Sequence, residues 1–127
     1  MKQEELKYTK THEWIYIQGD TAIVGVSDHA QHEMGDIVFV DLPKIGNKVE
    51  KGKQACVVES VKSAFDIYAP VSGEISEVNT KLSDNPALVN QSPIEEGWLF
   101  KMKVSKPDLS DLMDFKSYQE FLKTAAH

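Results

Sequence analysis

Residues 54–68 read QACVVESVKSAFDIY, and the fold turns on how they are read. Gln54 to Ser60 and Ala64 to Tyr68 are rich in β-branched and aromatic residues, which suit a half-buried pleated surface. Between them stand only Val61, Lys62 and Ser63, room for a hairpin connection and little else. The flanks echo each other. Val49-Glu50-Lys51-Gly52 ends ten residues before Lys62, and Val71-Ser72-Gly73 ends eleven residues after it. Two half-motifs folded about a pseudo-two-fold axis would put that lysine at a hairpin tip. A lysine there, between small serines, projects freely, as an amine to be acylated must. For an isolated Val-Lys-Ser the plainer reading is a solvated lysine in a turn.

Outward from this hairpin, the chain reads as short strands broken by glycine and proline. Glu13 to Gln18 and Thr21 to Val26 flank the turn Gly19-Asp20, with Trp14, Tyr16 and Gln18 expected on one face and Ile15 and Ile17 on the other. Ser27 suits the N-cap of a short helix through Met34, with Gly35 as its stop. Asp36 to Leu42 and Glu74 to Asn79 read as further strands. In Trp98 to Val104, residues Trp98, Phe100, Met102 and Val104 are expected to share one face. Helical character is confined to the tail: Pro107 to Asp114 opens on an N1-type proline, and Lys116 to Ala126 carries apolar residues at helical spacing. The pattern predicts a mainly β, sandwich-like or flattened-barrel domain over residues 1–127, with short peripheral helices and C-terminal helical decoration over about 107–126.

With 127 residues, one domain is expected. A net charge of −6 without a basic cluster argues against nucleic-acid or anionic-membrane partners. The longest apolar runs, such as Ile37 to Val40 and Ala55 to Val58, are four residues long, too short for a membrane span. A single cysteine, Cys56, rules out an intrachain disulfide, and with an acidic N-terminus unlike a transit peptide the expectation is a cytoplasmic monomer.

Other chemistry is thin. Cys56 sits among apolar neighbours with no adjacent base, as a packed strand cysteine does. His29 and His32, with Glu33, resemble a fragment of a metal site, but no further His or Cys stands at a zinc spacing, so no metal is expected and a surface or partner contact is the reading. Neither glycine-rich phosphate signature appears, and no nucleophile–base order can be argued. An enzyme is therefore the least favoured class.

The run GDIVFVDLPKIGNKVEKGKQACVVESVKSAFDIYAPVSGEISEVN, residues 35–79, resembles the H proteins of the glycine cleavage system. So do KYTKTHEW at 7–14, VSDHAQHEMGD at 26–36, NPALVN at 85–90 and GWLFKMKV at 97–104. The flanks of Lys62 match neither the methionines usual in biotinyl domains nor the Asp-Lys-Ala typical of 2-oxoacid dehydrogenase lipoyl domains. The resemblance implies a lipoyl/biotinyl-type barrel-sandwich hybrid and a non-catalytic carrier, with lipoic acid attached to Lys62. It implies that this arm takes the aminomethyl group from the glycine decarboxylase (P protein) to the aminomethyltransferase (T protein). The dithiol is then reoxidised by dihydrolipoyl dehydrogenase (L protein), and a lipoate-attaching enzyme installs the cofactor. By family match, Thr11, Glu13 and Asp66 line the cleft that receives the loaded arm, and Glu59 aids recognition by the modifying enzyme. Taken singly, Glu13 and Asp66 read more simply as solvated carboxylates at strand edges. A carrier of biotinyl type or for other lipoyl-dependent enzymes, and a binding module that has lost its modification, are the other classes in view; the intact ESVKSA argues against the lost modification.

Overall fold

A computed structural model describes residues 2–124. Among these residues nine strands build two sheets: β1 (Lys7–Tyr8), β2 (Glu13–Gln18), β3 (Thr21–Val26), β4 (Ile37–Asp41), β5 (Lys48–Val49), β6 (Gln54–Ser60), β7 (Ala64–Tyr68), β8 (Gly73–Val78) and β9 (Phe100–Lys103). The larger sheet runs β1-β2-β3-β9-β8-β5 and the smaller β4-β6-β7, every pairing antiparallel. Among the described residues four short α-helices decorate them, α1 (Asp28–Met34), α2 (Lys81–Asp84), α3 (Leu88–Gln91) and α4 (Phe115–Thr124), with one 3-10 turn at Gln3–Glu5. Neither sheet closes on itself, which agrees with a barrel-sandwich hybrid.

The main core joins Ile15 and Val24 to Val58, Ile67, Ile75, Phe100 and Met102, each at most 1% exposed. Burying such a side chain stabilises the fold by roughly 1.5–3 kcal/mol. The echo about Lys62 is realised as nested pairing. Lys48 faces Glu74 and Val49 faces Gly73 between β5 and β8, while Gln54 faces Tyr68 and Glu59 faces Ala64 between β6 and β7. Ser72 Oγ accepts the Lys51 N–H at 2.8 Å where the two sheets meet.

Ser27 caps α1 by accepting the Ala30 N–H at 3.1 Å, and Gly35 ends it at φ 81°. The β2–β3 hairpin turns at Gly19-Asp20 as expected, but the simple alternation across β2 does not hold. Trp14 and Ile15 are both buried, because the sheet is covered on both sides there. Ile15 faces the main core. Trp14 lies over Gly25, donates Nε1–H to the Pro93 carbonyl at 3.0 Å, and joins Leu6, Tyr8 and Tyr118 of α4 in a second core. Trp98 also departs from the expected face. It packs on this second cluster, and Leu99, Phe100, Met102 and Val104 enter the main core.

The tail differs too. Residues 107–114 are not helical: Tyr8 and Met113 exchange backbone hydrogen bonds of 2.7 and 2.9 Å, and a backbone so bridged cannot satisfy a helix. Helix begins only at Phe115, after Asp114 Oδ1 accepts the Ser117 N–H at 2.8 Å. The expected end of this helix, at residues 125–126, lies outside the described residues.

Candidate functional site

The β6–β7 tip is held by one buried hydroxyl. Ser60 Oγ accepts the N–H groups of Lys62 at 3.0 Å and Ser63 at 3.3 Å, so a serine side chain organises the turn as an extra backbone group would. The Ser60 N–H donates to the Ser63 carbonyl at 2.8 Å, and the Val61 N–H to the Asp36 carbonyl at 3.0 Å. With the backbone of the tip so engaged, the side chains of Val61, Lys62 and Ser63 are turned out to solvent. Lys62 Nζ reaches the Glu33 carbonyl in the last turn of α1 at 3.2 Å, a cation at the negative end of a helix. Its stem crosses Gly35, where an added Cβ would come within 3.4 Å of Lys62 Cε.

A recess of about 380 Å³ opens elsewhere on the surface, lined in part by Thr9, Thr11, Glu13, Tyr68, Asp111 and Leu112. Glu13 is 1% exposed, not the solvated carboxylate of the simpler reading. Its Oε1 accepts both threonine hydroxyls, Thr9 and Thr11, at 2.5 Å, and Oε2 accepts the Tyr68 N–H at 3.3 Å. Burial pushes the Glu13 pKa above its ordinary value, and these donors hold it down in part. The outcome is a desolvated acceptor at a recess, a place suited to a protonated amine. The segment that failed to become a helix forms one wall, tied down where Lys51 Nζ donates to the Asp111 carboxylate and to the Asp108 carbonyl. Thr9 escaped the reading of the sequence. Its hydroxyl meets Glu13 because a tight turn, with His12 at φ 73° and its N–H on the Thr9 carbonyl at 3.2 Å, folds residues 9–13 back on themselves.

Asp66 does not line this recess. It lies exposed on the outer face of β7, accepting from Gln54 Nε2 at 2.7 Å, two residues before Tyr68. Glu59 is half-buried on β6, opposite Phe39 on β4 and Ala64 on β7.

The glycine cleavage H-protein family model matches residues 6–125. The chain belongs to the glycine cleavage H-protein family. A glycine cleavage system H protein of Thermotoga maritima is 54% identical over 91% of this chain and 94% of its own length. One from Thermus thermophilus is 55% identical over 94% of each. The crystal structure of a glycine cleavage system H protein from Mycobacterium marinum superposes with a TM-score of 0.87 at 36% identity, covering 94% of this chain and 98% of that one. A member of the H-protein family is a lipoyl-carrier component rather than a catalyst, and it works with the enzymes of its system.

For an H-protein family member, the remaining reactive groups are structural. Cys56 is buried and its thiol is pushed up to about 12, first by desolvation and then by Asp41, which leaves it inert. The His29 ring lies tilted at 44° against that of His12 with centroids 5.0 Å apart, while His32 is exposed; among the described residues no three His, Cys, Asp or Glu side chains group as metal ligands. Tyr118 Oη meets both His12 Nδ1 and Ser27 Oγ at 2.7 Å, fastening α4 behind the Glu13 turn. Among the described residues no helix is long and apolar enough to cross a membrane.

Proposed function

We propose that the chain carries lipoic acid in amide linkage on Lys62 and works as the shuttle of its glycine cleavage system. The observation that carries this reading is the Lys62 side chain, exposed at a tip whose backbone is fixed by Ser60 and Asp36. An acylated lysine fits there without rearrangement: the side chain is already outside the strands, and Nζ donates to a carbonyl oxygen to which an amide N–H can also donate. When bound, the lipoyl group supplies a disulfide that accepts an aminomethyl group and a dithiol that can be reoxidised.

The residues of the chain orient and protect. Asp66 and Tyr68 follow Ala64 at two-residue intervals, so they share the β7 face that leads from the tip toward the recess. β7 carries the chain about 13 Å from Ala64 to Tyr68, a distance for a long arm rather than a bare lysine. At the far end Glu13 would pair with a protonated amine and favour its charged form, while Thr9 and Thr11 hold the carboxylate in place. On this reading the loaded arm is filled by the glycine decarboxylase, emptied by the aminomethyltransferase and reoxidised by dihydrolipoyl dehydrogenase. The chain acts as one monomeric domain in the cytoplasm, and Glu59 helps the lipoate-attaching enzyme to find its lysine.

The test is the intact mass of protein produced with and without lipoate, followed by peptide mapping. One lipoyl addition on Lys62, absent from Lys62→Arg, is the expected result. An addition on another lysine, or none under conditions that lipoylate a known carrier, overturns the proposal.

A further inference from the structure

Large hydrophobic side chains are exposed at only four places among the described residues, and three of them lie on β4 and the tip it borders: Val38 (53%), Phe39 (50%) and Val61 (67%). The register explains the grouping. Phe39 faces Glu59 across β4 and β6, and Val61 is bonded through its N–H to the carbonyl of Asp36, beside Ile37 and Val38. Next along the outer face, Asp41, Val57 and Asp66 form a row across the three strands. An apolar patch therefore adjoins the acceptor lysine, with Asp36, Glu59, Asp41 and Asp66 around it.

β4 is an edge strand of its sheet, where exposed apolar side chains invite aggregation. The ladder is irregular between Ile37 and Phe39, and a bulge there discourages another strand from adding while turning side chains outward. The surface thus suits a socket that takes side chains, not a strand that takes backbone.

Reach decides the occupant. A lysine side chain spans about 6 Å from Cα to Nζ at standard bond lengths. An enzyme that acylates the bare amine must close on the tip itself, where Val61 precedes the lysine and β4 runs one strand spacing, about 4.8 Å, from Glu59 and Ser60. Enzymes that work on the distal end of a completed arm have no such need. We propose that Val38, Phe39 and Val61, rimmed by carboxylates, are the docking patch for the lysine-acylating enzyme, which presents an apolar socket with a basic rim. The proposal rests on Lys62 being the lipoylated residue.

The experiment measures binding of the unmodified chain to a lipoate-attaching enzyme that modifies the wild type, by titration at low and moderate salt. Phe39→Ala and Val61→Ala, on exposed positions, should each weaken the complex about tenfold, within the range of truncated interface anchors. Phe39→Leu should recover most of the loss, and wild-type affinity should fall as salt rises. Reoxidation of pre-lipoylated Phe39→Ala by dihydrolipoyl dehydrogenase should stay within twofold of wild type. Wild-type affinity in both Phe39→Ala and Val61→Ala, or an equal loss in the reoxidation assay, overturns the assignment. Val61→Ala guards against a folding artefact, since Val61 belongs to neither core cluster. Lipoate mapping to another lysine would instead sink the carrier reading itself, so the two failures are distinguishable.

Discussion

Replacing Glu13 by glutamine tests the protective recess with little change of shape. Glutamine keeps one oxygen for the hydroxyls of Thr9 and Thr11 but removes the charge, and its NH2 would face the Tyr68 N–H now 3.3 Å from Oε2. A hydrogen bond to a charged group is worth about 1.5–3 kcal/mol. At 1.4 kcal/mol per factor of ten, its loss shortens the lifetime of an amine held there by about ten- to a hundredfold. The assay is ammonia release from aminomethyl-loaded protein at neutral pH without partner enzymes, wild type beside Glu13→Gln. The pH dependence supplies a second check. Burial raises the Glu13 pKa, so the native carboxyl holds its proton more readily than the unfolded one. Between those two pKa values stability falls as pH rises, and the fall should be missing in Glu13→Gln. Protection of the amine, which needs the carboxylate, should be lost as pH drops through the native value. A lifetime in Glu13→Gln within twofold of wild type, at a pH where Glu13 is ionised, refutes the protective role.

Two further substitutions probe the frame around the site. Tyr118→Phe removes the hydroxyl shared by His12 and Ser27 while keeping the ring stacked on Tyr8, at a centroid distance of 4.4 Å. A loss of about 1–2 kcal/mol is expected. This would lower Tm by roughly 3–10 °C in a thermal melt, and an unchanged Tm would dismiss the network as a source of stability. Gly35→Ala places a side chain at φ 81°, ψ −161°, a region almost reserved for glycine. Chemical denaturation should show a loss of about 1–3 kcal/mol, and full stability would mean that the end of α1 relaxes freely.

What could be read in the sequence was local or nested. The hairpin about Lys62, the turn at Gly19-Asp20, the Ser27 cap and the Gly35 stop each declare themselves within a few residues, because a turn or cap needs a particular backbone conformation or hydrogen-bonding side chain. What escaped depends on distant partners. Trp14 breaks the alternation of β2 because α4, about a hundred residues later, covers the second face of the sheet. Glu13 looks like an edge carboxylate until Thr9 and the Tyr68 amide are brought to it. Pro107 suggests a helix start, but the backbone of Met113 is taken by Tyr8, which local propensity cannot foresee. The helices α2 and α3, four residues each, are too short to show a period.

The hydroxyl of Ser60 has a consequence for how cargo would travel. With the turn pinned through that hydroxyl, the travel of a load on Lys62 would come from the tether, and the load would explore a shell set by tether length around the tip. Its visits to the recess should then be timed by drag in the surrounding liquid. Thickening the solvent would slow them, while mutations that loosen remote loops would not.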